Sequence, residues 1–364
     1  MSIERRFKSY FDDKGGYKGG KSGDPSQFKK IHKLSSNENP YGPSPKVSEV
    51  INKQLNRLHI YPSPTDLDLR HALLEHYDGK LSLDQFITGN GGSNVIDLLI
   101  KGFVNVGDEV IVSSPYFIPY SSFSKWAGAE VIDVPLDNED YSLDVSGIIS
   151  ALNNKTRIIF LTSPNNPTGS YIKRSEFECL LETVPDDVIV LYDEVYYHYI
   201  NQDDYPLAWE YVDSYPNLFA INSFSKAYGL AALRVGYGYG SELVCNYLRQ
   251  IVRPFSIPHI NLVAAIAALK DQEWVSSCIE KNHVERAFLW DAMSEFDFKT
   301  FPSDANFFCI KPQNNHTQLT SDLAGQGIFV RPLDNFKAPG CLRITVGNRE
   351  SNEALIEALR SIMK

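Results

Sequence analysis

Lys226 is surrounded by more potential chemistry than any other residue in this 364-residue chain. It follows hydroxyls at Ser223 and Ser225, and Arg234 comes eight residues later. A lysine amine becomes nucleophilic only after losing its proton, which calls for a partly desolvated, preformed pocket rather than a solvated helix face. Two hydroxyls and a guanidinium are donors suited to a phosphate, the guanidinium through two parallel bonds. A phosphate site beside a reactive lysine fits a ligand that carries both a phosphate and an aldehyde, and pyridoxal 5'-phosphate is such a ligand. The same short string also fits a surface lysine after a strand, so its weight depends on what accompanies it.

Three further segments accompany it, each at the end of an apolar run. Ser163-Pro-Asn-Asn166-Pro-Thr-Gly169 follows the run from Ile158 to Thr162, and Tyr192-Asp193-Glu-Val-Tyr196 ends the run that begins at Val188. Phe219-Ala-Ile-Asn222 leads directly into Ser223. These are carboxyl ends of buried strands, where open α/β sheets place their ligands. Upstream, Thr88-Gly-Asn-Gly91-Gly92-Ser93 separates a short strand from an apolar helix at Val95. Glycines there let backbone amides approach a phosphate, and a helix amino terminus adds donors and a favourable dipole. A plain tight turn fits that string too, as does a dinucleotide loop with Asp108 and Glu109 as its acids. Lys226 and Arg234 downstream favour the pyridoxal reading.

Together and in this order, the motifs resemble the class I and II aminotransferases, pyridoxal-phosphate enzymes of fold type I, from about Lys33 to Lys364. The resemblance implies that Lys226 carries the cofactor and that Asp193 pairs with the pyridine nitrogen, keeping the ring an electron sink. It implies Asn166 and Tyr196 as donors to the phenolic oxygen, and Gly91, Gly92, Ser93, Ser223, Ser225 and Arg234 around the phosphate. Phe117, in Pro115-Tyr-Phe-Ile-Pro-Tyr120, would lie flat against the ring with Tyr120 behind it. Tyr61 matches a tyrosine that reaches the phosphate in the partner subunit, which implies a homodimer with shared sites. Arg343 would take the substrate anion together with Arg331, and two guanidinium groups suit a phosphate ester better than a lone carboxylate.

Within the family, Leu34–Pro45, Gly327–Pro332 and Leu342–Asn352 look like the histidinol-phosphate aminotransferases. That likeness implies Asn39 and Tyr17 as further substrate contacts, Tyr17 standing in Tyr-Lys-Gly-Gly-Lys21 where that group has Tyr-x-Pro-Gly-Lys. The implied reaction moves an amino group between histidinol phosphate and 2-oxoglutarate, so the expected partners are small amino and 2-oxo acids. Threonine-phosphate decarboxylases and aromatic aminotransferases share most of these motifs and stay open. A nicotinamide-binding or non-catalytic regulatory protein is the reading from a different class. Asn94 stands where the family often has an acid.

Composition narrows the rest. A net charge of −10 opposes nonspecific nucleic-acid binding, which depends on clustered lysine and arginine. No window approaches the roughly 20 consecutive apolar residues of a membrane span, so no membrane partner is expected. The five cysteines lack a C-x-x-C pair and read as reduced thiols of a cytoplasmic protein. His71 and His76 are five apart, off a common helical face, so no metal is expected.

The elements that must position these residues alternate. Strand-like runs at 85–88, 109–113, 130–134, 157–162, 188–193, 218–222 and 234–239 are separated by helical runs at 93–103, 119–127, 144–152 and 174–183. Two helices, 46–57 and 66–78, precede them. Such alternation predicts an α/β fold: a large domain with a mostly parallel sheet covered by helices. Helices at 242–252, 260–269, 273–296 and 350–363, with strands at 306–310, 328–331 and 341–346, predict a smaller α+β domain. The expected division is an amino-terminal arm over 1–36 joining the small domain, a cofactor domain over 37–250, and the small domain over 251–364.

Overall fold

The computed structural model describes residues 19–20, 23–24, 26–313 and 315–363. Seven strands make the large sheet: β2 (Phe86–Gly89), β3 (Glu109–Val112), β4 (Glu130–Asp133), β5 (Thr156–Thr162), β6 (Ile189–Asp193), β7 (Leu218–Ser223) and β8 (Gly236–Gly240). Their order is β2-β8-β7-β6-β5-β3-β4, and only β8 runs antiparallel to its neighbours. The inner strands are apolar on both faces, as a sheet covered on both sides requires. Along β5 to β7, Ile158, Phe160, Ile189, Leu191, Phe219 and Ile221 face one core. The alternate residues Ile159, Leu161, Val190, Tyr192, Leu218 and Ala220 face the other.

Helices α3 (Gly92–Phe103), α4 (Pro119–Ala127) and α7 (Glu242–Gln250) supply the first of these cores; α2 (Leu67–His76) and α6 (Arg174–Thr183) supply the second, with α5 (Val145–Ala151) beside it. Helix α1 (Pro45–Gln54) starts where the Ser44 hydroxyl takes the Lys46 amide and proline occupies the first turn. Helix α8 (His259–Leu269) lies beyond residue 250, where the second domain was expected to begin. It nevertheless packs on α1 and α2, and its Leu262, Ala264 and Ala265 join the core of the large sheet.

The carboxyl-terminal part adds α9 (Gln272–Met293), β9 (Phe298–Phe301), β10 (Phe307–Pro312), α10 (His316–Gly325), β11 (Ile328–Phe329), β12 (Arg331–Pro332), β13 (Leu342–Thr345) and α11 (Arg349–Ile362). A four-stranded antiparallel sheet runs β12-β13-β10-β9. A short strand β1 (His32–Lys33) pairs in parallel with β11. Leu34 continues the docking, donating to the Phe329 carbonyl and accepting from the Thr345 amide. Residues 32–34 therefore pair with the carboxyl-terminal part of the chain, β1 and β11 forming a two-stranded sheet of their own. Among the described residues no helix is long and apolar enough to cross a membrane, and no cluster of three potential metal ligands occurs.

Candidate active site

A cavity of about 410 Å³ opens where the carboxyl ends of the parallel strands meet the small sheet. Gly92 and Ser93 follow β2, Phe117 follows β3, Asn166 follows β5, Asp193 and Tyr196 lie at the end of β6, and Ser223, Ser225 and Lys226 at the end of β7. All of these line it, together with Arg234 and Arg343. Segments separated by more than a hundred residues thus converge because each strand end points the same way.

Lys226 brings a half-buried amine to the cavity. Its amine donates to the Ser36 carbonyl at 3.0 Å and lies 5.7 Å from the centre of the Tyr196 ring. Burial, helped by the Arg343 and Arg234 charges, lowers its pKa to about 7, although Glu38 and Asp193 pull the other way. A substantial fraction is therefore uncharged near neutrality, as attack on an aldehyde carbon requires.

At one end the cavity is built for an anion. Helix α3 begins at Gly92, and Gly91 before it supplies no side-chain cap, so its first amides keep their capacity to donate to a ligand. Gly91 has φ +82°, and a β-carbon there would strike the Arg234 guanidinium. Only glycine lets arginine and helix terminus close on one another. Arg234 donates to the Ser225 hydroxyl at 3.0 Å, and that hydroxyl also receives the Ser223 hydroxyl at 3.0 Å. Close approach of strand and helix depends on a second glycine: a β-carbon on Gly236 would overlap the Gly92 amide.

Across the cavity Asp193 is 6 % exposed. The Tyr120 phenol donates to its Oδ2 at 2.5 Å and the Val195 amide to its Oδ1 at 3.1 Å. Burial pushes its pKa up to about 6, against the two hydrogen bonds and the Lys226 charge. A cation placed against it would draw that value down, which suits a protonated ring nitrogen. Its neighbour Glu194 has the same chemistry and the opposite setting. Its carboxyl is buried in the core, takes the Tyr239 hydroxyl at 2.5 Å, and is pushed up to about 8 by burial. Alternation at the strand end turns one acid into the cavity and the next into the core.

Between these ends Phe117 forms an aromatic wall, with Tyr120 edge-on to it at 5.5 Å and stacked on Phe160 at 4.8 Å. At the outer side Arg343 donates to the Asn166 side chain at 2.5 Å and to the Ser35 carbonyl at 2.9 Å. Arg331 pairs directly across from Arg343 in the small sheet, and their guanidinium groups lie 5.1 and 5.9 Å from the centre of one ring, Phe336.

The other sequence candidates lie elsewhere. Arg331 is not among the cavity-lining residues; it is 7 % exposed and stands beside Arg343, its guanidinium 5.1 Å from the centre of the Phe336 ring. Asn39 does not line it either, because its amide nitrogen donates to the Ala227 carbonyl at 3.0 Å and its oxygen accepts the Tyr41 amide. It holds the loop next to Lys226 instead. Tyr61 is 80 % exposed, away from the cavity of its own chain and 5.0 Å from the Phe255 ring. Tyr17 is outside the described residues. Conversely, Ser36, Asn37, Glu38, Phe123, Trp126 and Phe336 line the cavity without having been singled out from the sequence. Asn37 and Glu38 sit in the run Leu34–Pro45, read for its family likeness without a role for either residue; the signal there was an asparagine able to take positive φ. Phe123 and Trp126 continue the face of α4 that begins at Pro119, a helical spacing that was available to be read.

These residues fit pyridoxal phosphate in kind and in arrangement: anion donors at one end, a carboxylate at the other, an aromatic wall, and a half-buried amine within the same cavity. The family model for aminotransferase class I and II matches residues 29–359. The chain is 36% identical to the histidinol-phosphate aminotransferase of Brevibacillus brevis, over 92% of this chain and 90% of that protein. It is likewise 36% identical to the Bacillus subtilis protein of the same name, over 92% of each. The structure of histidinol-phosphate aminotransferase from Sinorhizobium meliloti in complex with pyridoxal-5'-phosphate superposes with a TM-score of 0.83 at 24% identity, covering 92% of each chain. Aspartate aminotransferase from Thermus thermophilus with maleate superposes at 0.81 with 22% identity, covering 91% of each, so the fold is common to both. The chain belongs to the class I and II aminotransferases and is a pyridoxal-phosphate-dependent aminotransferase.

Proposed function

We propose that this aminotransferase moves the amino group of histidinol phosphate to 2-oxoglutarate. The observation that carries the substrate reading is the direct pairing of Arg331 with Arg343 on adjacent strands, both guanidinium groups against Phe336 at the outer side of the cavity. A phosphate monoester carries nearly two charges and three acceptor oxygens, so it can engage Arg343 and draw on the field of Arg331 beside it; a glutamate carboxylate needs Arg343 alone. The names of the relatives at 36% identity point the same way.

The cofactor, when bound, supplies an electrophilic carbon and a ring that accepts electron density from the substrate's α carbon. The chain's own groups do the rest. Lys226 would hold the cofactor through its amine and, once that amine is free, move a proton at the substrate's α carbon. Asp193, oriented by Tyr120 and the Val195 amide, holds a proton on the ring nitrogen. Tyr196 and Asn166 donate to the phenolic oxygen, and Gly91, Gly92, Ser93, Ser223, Ser225 and Arg234 hold the phosphate. Phe117 excludes water from the ring face.

Assembly belongs to the same reading. Leu58, Ile60 and Tyr61 are 65 %, 50 % and 80 % exposed, and Phe255, 44 % exposed, lies against the Tyr61 ring. An apolar surface of this kind suits the face of a homodimer in which Tyr61 completes the partner's site. Mixing Tyr61→Phe with Lys226→Ala chains would then regenerate one intact site per heterodimer; a fully active monomer in sedimentation refutes the arrangement.

The substrate test is a screen with histidinol phosphate, histidinol, threonine phosphate and phenylalanine, following loss of the bound cofactor's visible absorbance. Histidinol phosphate should give the highest kcat/KM, with histidinol about ten- to a hundredfold lower, the worth of one charged hydrogen bond. Equal rates with and without the phosphate, or release of carbon dioxide from threonine phosphate as the main reaction, would overturn the proposal.

A further inference from the structure

Asn37 is 1 % exposed and lines the cavity, with φ +57° in the left-handed region that asparagine tolerates. Its hydrogen bonds can be assigned proton by proton. The Asn37 backbone amide donates to the Thr345 hydroxyl oxygen at 2.9 Å. That hydroxyl donates its own proton to Asn37 Oδ1 at 3.1 Å. Oδ1 accepts from that hydroxyl, and the other end of the side-chain amide, Nδ2, donates to the Tyr196 oxygen at 3.0 Å. In that contact Tyr196 accepts, so the contact does not use the phenolic proton. Asn306 Nδ2 donates to the Asn37 carbonyl at 3.0 Å, and the Tyr196 ring stands edge-on to Phe307 at 5.0 Å. The small sheet thus grips Asn37 through Thr345 and Asn306, while Asn37 grips the Tyr196 oxygen at the end of β6.

We propose that Asn37 is a positioning residue that sets the direction of the Tyr196 proton, making Tyr196 a donor toward the cofactor's phenolic oxygen and tying that donor to the strand that carries Arg343. This rests on the reading that Tyr196 faces that oxygen. Donation to an oxygen anion stabilises its charged form, so the network holds low the pH at which the bound cofactor's visible spectrum changes. Thr345 lies two residues beyond Arg343 on β13. The strand that anchors the substrate anion is therefore also the strand that orients the asparagine amide.

The test is a spectroscopic pH titration of the resting, cofactor-loaded enzyme without substrate, with melting curves to check folding. Asn37→Gly keeps the backbone unstrained at positive φ and removes the amide. Its spectral midpoint should rise by about half to one pH unit. Asn37→Asp presents a carboxylate that takes the phenolic proton for itself, so its midpoint should rise at least as far as in Tyr196→Phe. Thr345→Val leaves the amide free to turn and should give a smaller rise. In a Tyr196→Phe background Asn37→Gly should add nothing. Should Asn37→Gly fail to fold, Asn37→Asp and Thr345→Val decide the matter. A raised midpoint in Tyr196→Phe with unchanged midpoints in the Asn37 and Thr345 variants would overturn this inference and leave the role of Tyr196 intact. An unchanged midpoint in Tyr196→Phe itself would remove both.

Discussion

The inner and outer halves of the cavity are built in different ways. The inner half hangs from the carboxyl ends of parallel strands, and each contribution comes from a short stretch of chain: Gly92 and Ser93; Asp193, Val195 and Tyr196; Ser223, Ser225 and Lys226. The strands behind them are apolar on both faces and fully enclosed. The outer half comes from two segments far apart in the chain: Ser36 to Glu38 before α1, and a carboxyl-terminal stretch with Phe336 at the end of a 3-10 turn and Arg343 on β13, Arg331 beside it. Rigid strand ends can hold a cofactor whose shape never changes. An outer wall made from a separate small sheet can admit two amino substrates of different shape against one cofactor, because its parts are joined by a few hydrogen bonds such as Arg343 to Asn166.

Substitutions should separate the halves by what they change. The largest loss is expected for Lys226→Ala, about four orders of magnitude in turnover, since the nucleophile and the proton carrier go together; noncovalent cofactor binding should persist, as equilibrium dialysis would show. Asp193→Asn comes next, about a hundred- to several-thousandfold in kcat, because a buried ion-pair partner typically costs about 3–5 kcal/mol. Near-normal turnover there would confine Asp193 to a structural part.

In the outer half, Arg343→Ala should raise KM for both amino substrates by about ten- to a hundredfold, whereas Arg331→Ala should penalise the phosphate ester more than glutamate. Equal penalties in Arg331→Ala would argue for a single carboxylate anchor. Gly91→Ala tests the inner half without touching a polar side chain. The added β-carbon displaces Arg234, and cofactor affinity should fall by about tenfold or more with the melting temperature of the cofactor-free chain less affected.

The smallest effect is a pH dependence. Lys226 titrates at about 7 when folded and near 10.5 when exposed, so between those values the unfolded chain binds the extra proton and this group makes stability rise with pH. Its burial is destabilising below pH 7 and that penalty is relieved above it. Asp193, raised to about 6, acts in the opposite sense between its ordinary value of 3.8 and about 6, outside that window. The stability advantage of cofactor-free Lys226→Met over wild type, measured by urea unfolding, should therefore shrink as pH rises from 7 to 9. A constant advantage would mean that the lysine is not desolvated.

Legibility follows the same division. The inner half could be read from the sequence because a strand end, a turn and a reactive residue are contiguous, and because buried parallel strands announce themselves as apolar runs; α4 and α6 have the expected bounds, Pro119–Ala127 and Arg174–Thr183. Strand β1 was not foreseen, since its two residues owe their conformation to β11 almost three hundred residues away. Helix α10 was missed because only Leu319 and Leu323 are buried along ten residues, too few for a visible period. Strand β9 was not foreseen either: it begins just beyond the helix read as 273–296, which the structure ends at Met293. Asn37 escaped for a related reason: its role comes from Thr345, Asn306 and Tyr196, none of them near it in sequence. Conversely, Asn39, a sequence candidate for the substrate, turns its amide to the Ala227 carbonyl. Local spacing identifies chemical type; only the fold decides which way a side chain faces.

The central claim is that one half-buried amine at the end of β7 carries the cofactor. Borohydride reduction of the loaded wild-type enzyme, followed by peptide mass mapping, tests it most directly. The account predicts the cofactor mass on the peptide containing Lys226, with none in Lys226→Ala. Attachment to any other lysine in the wild type would contradict it.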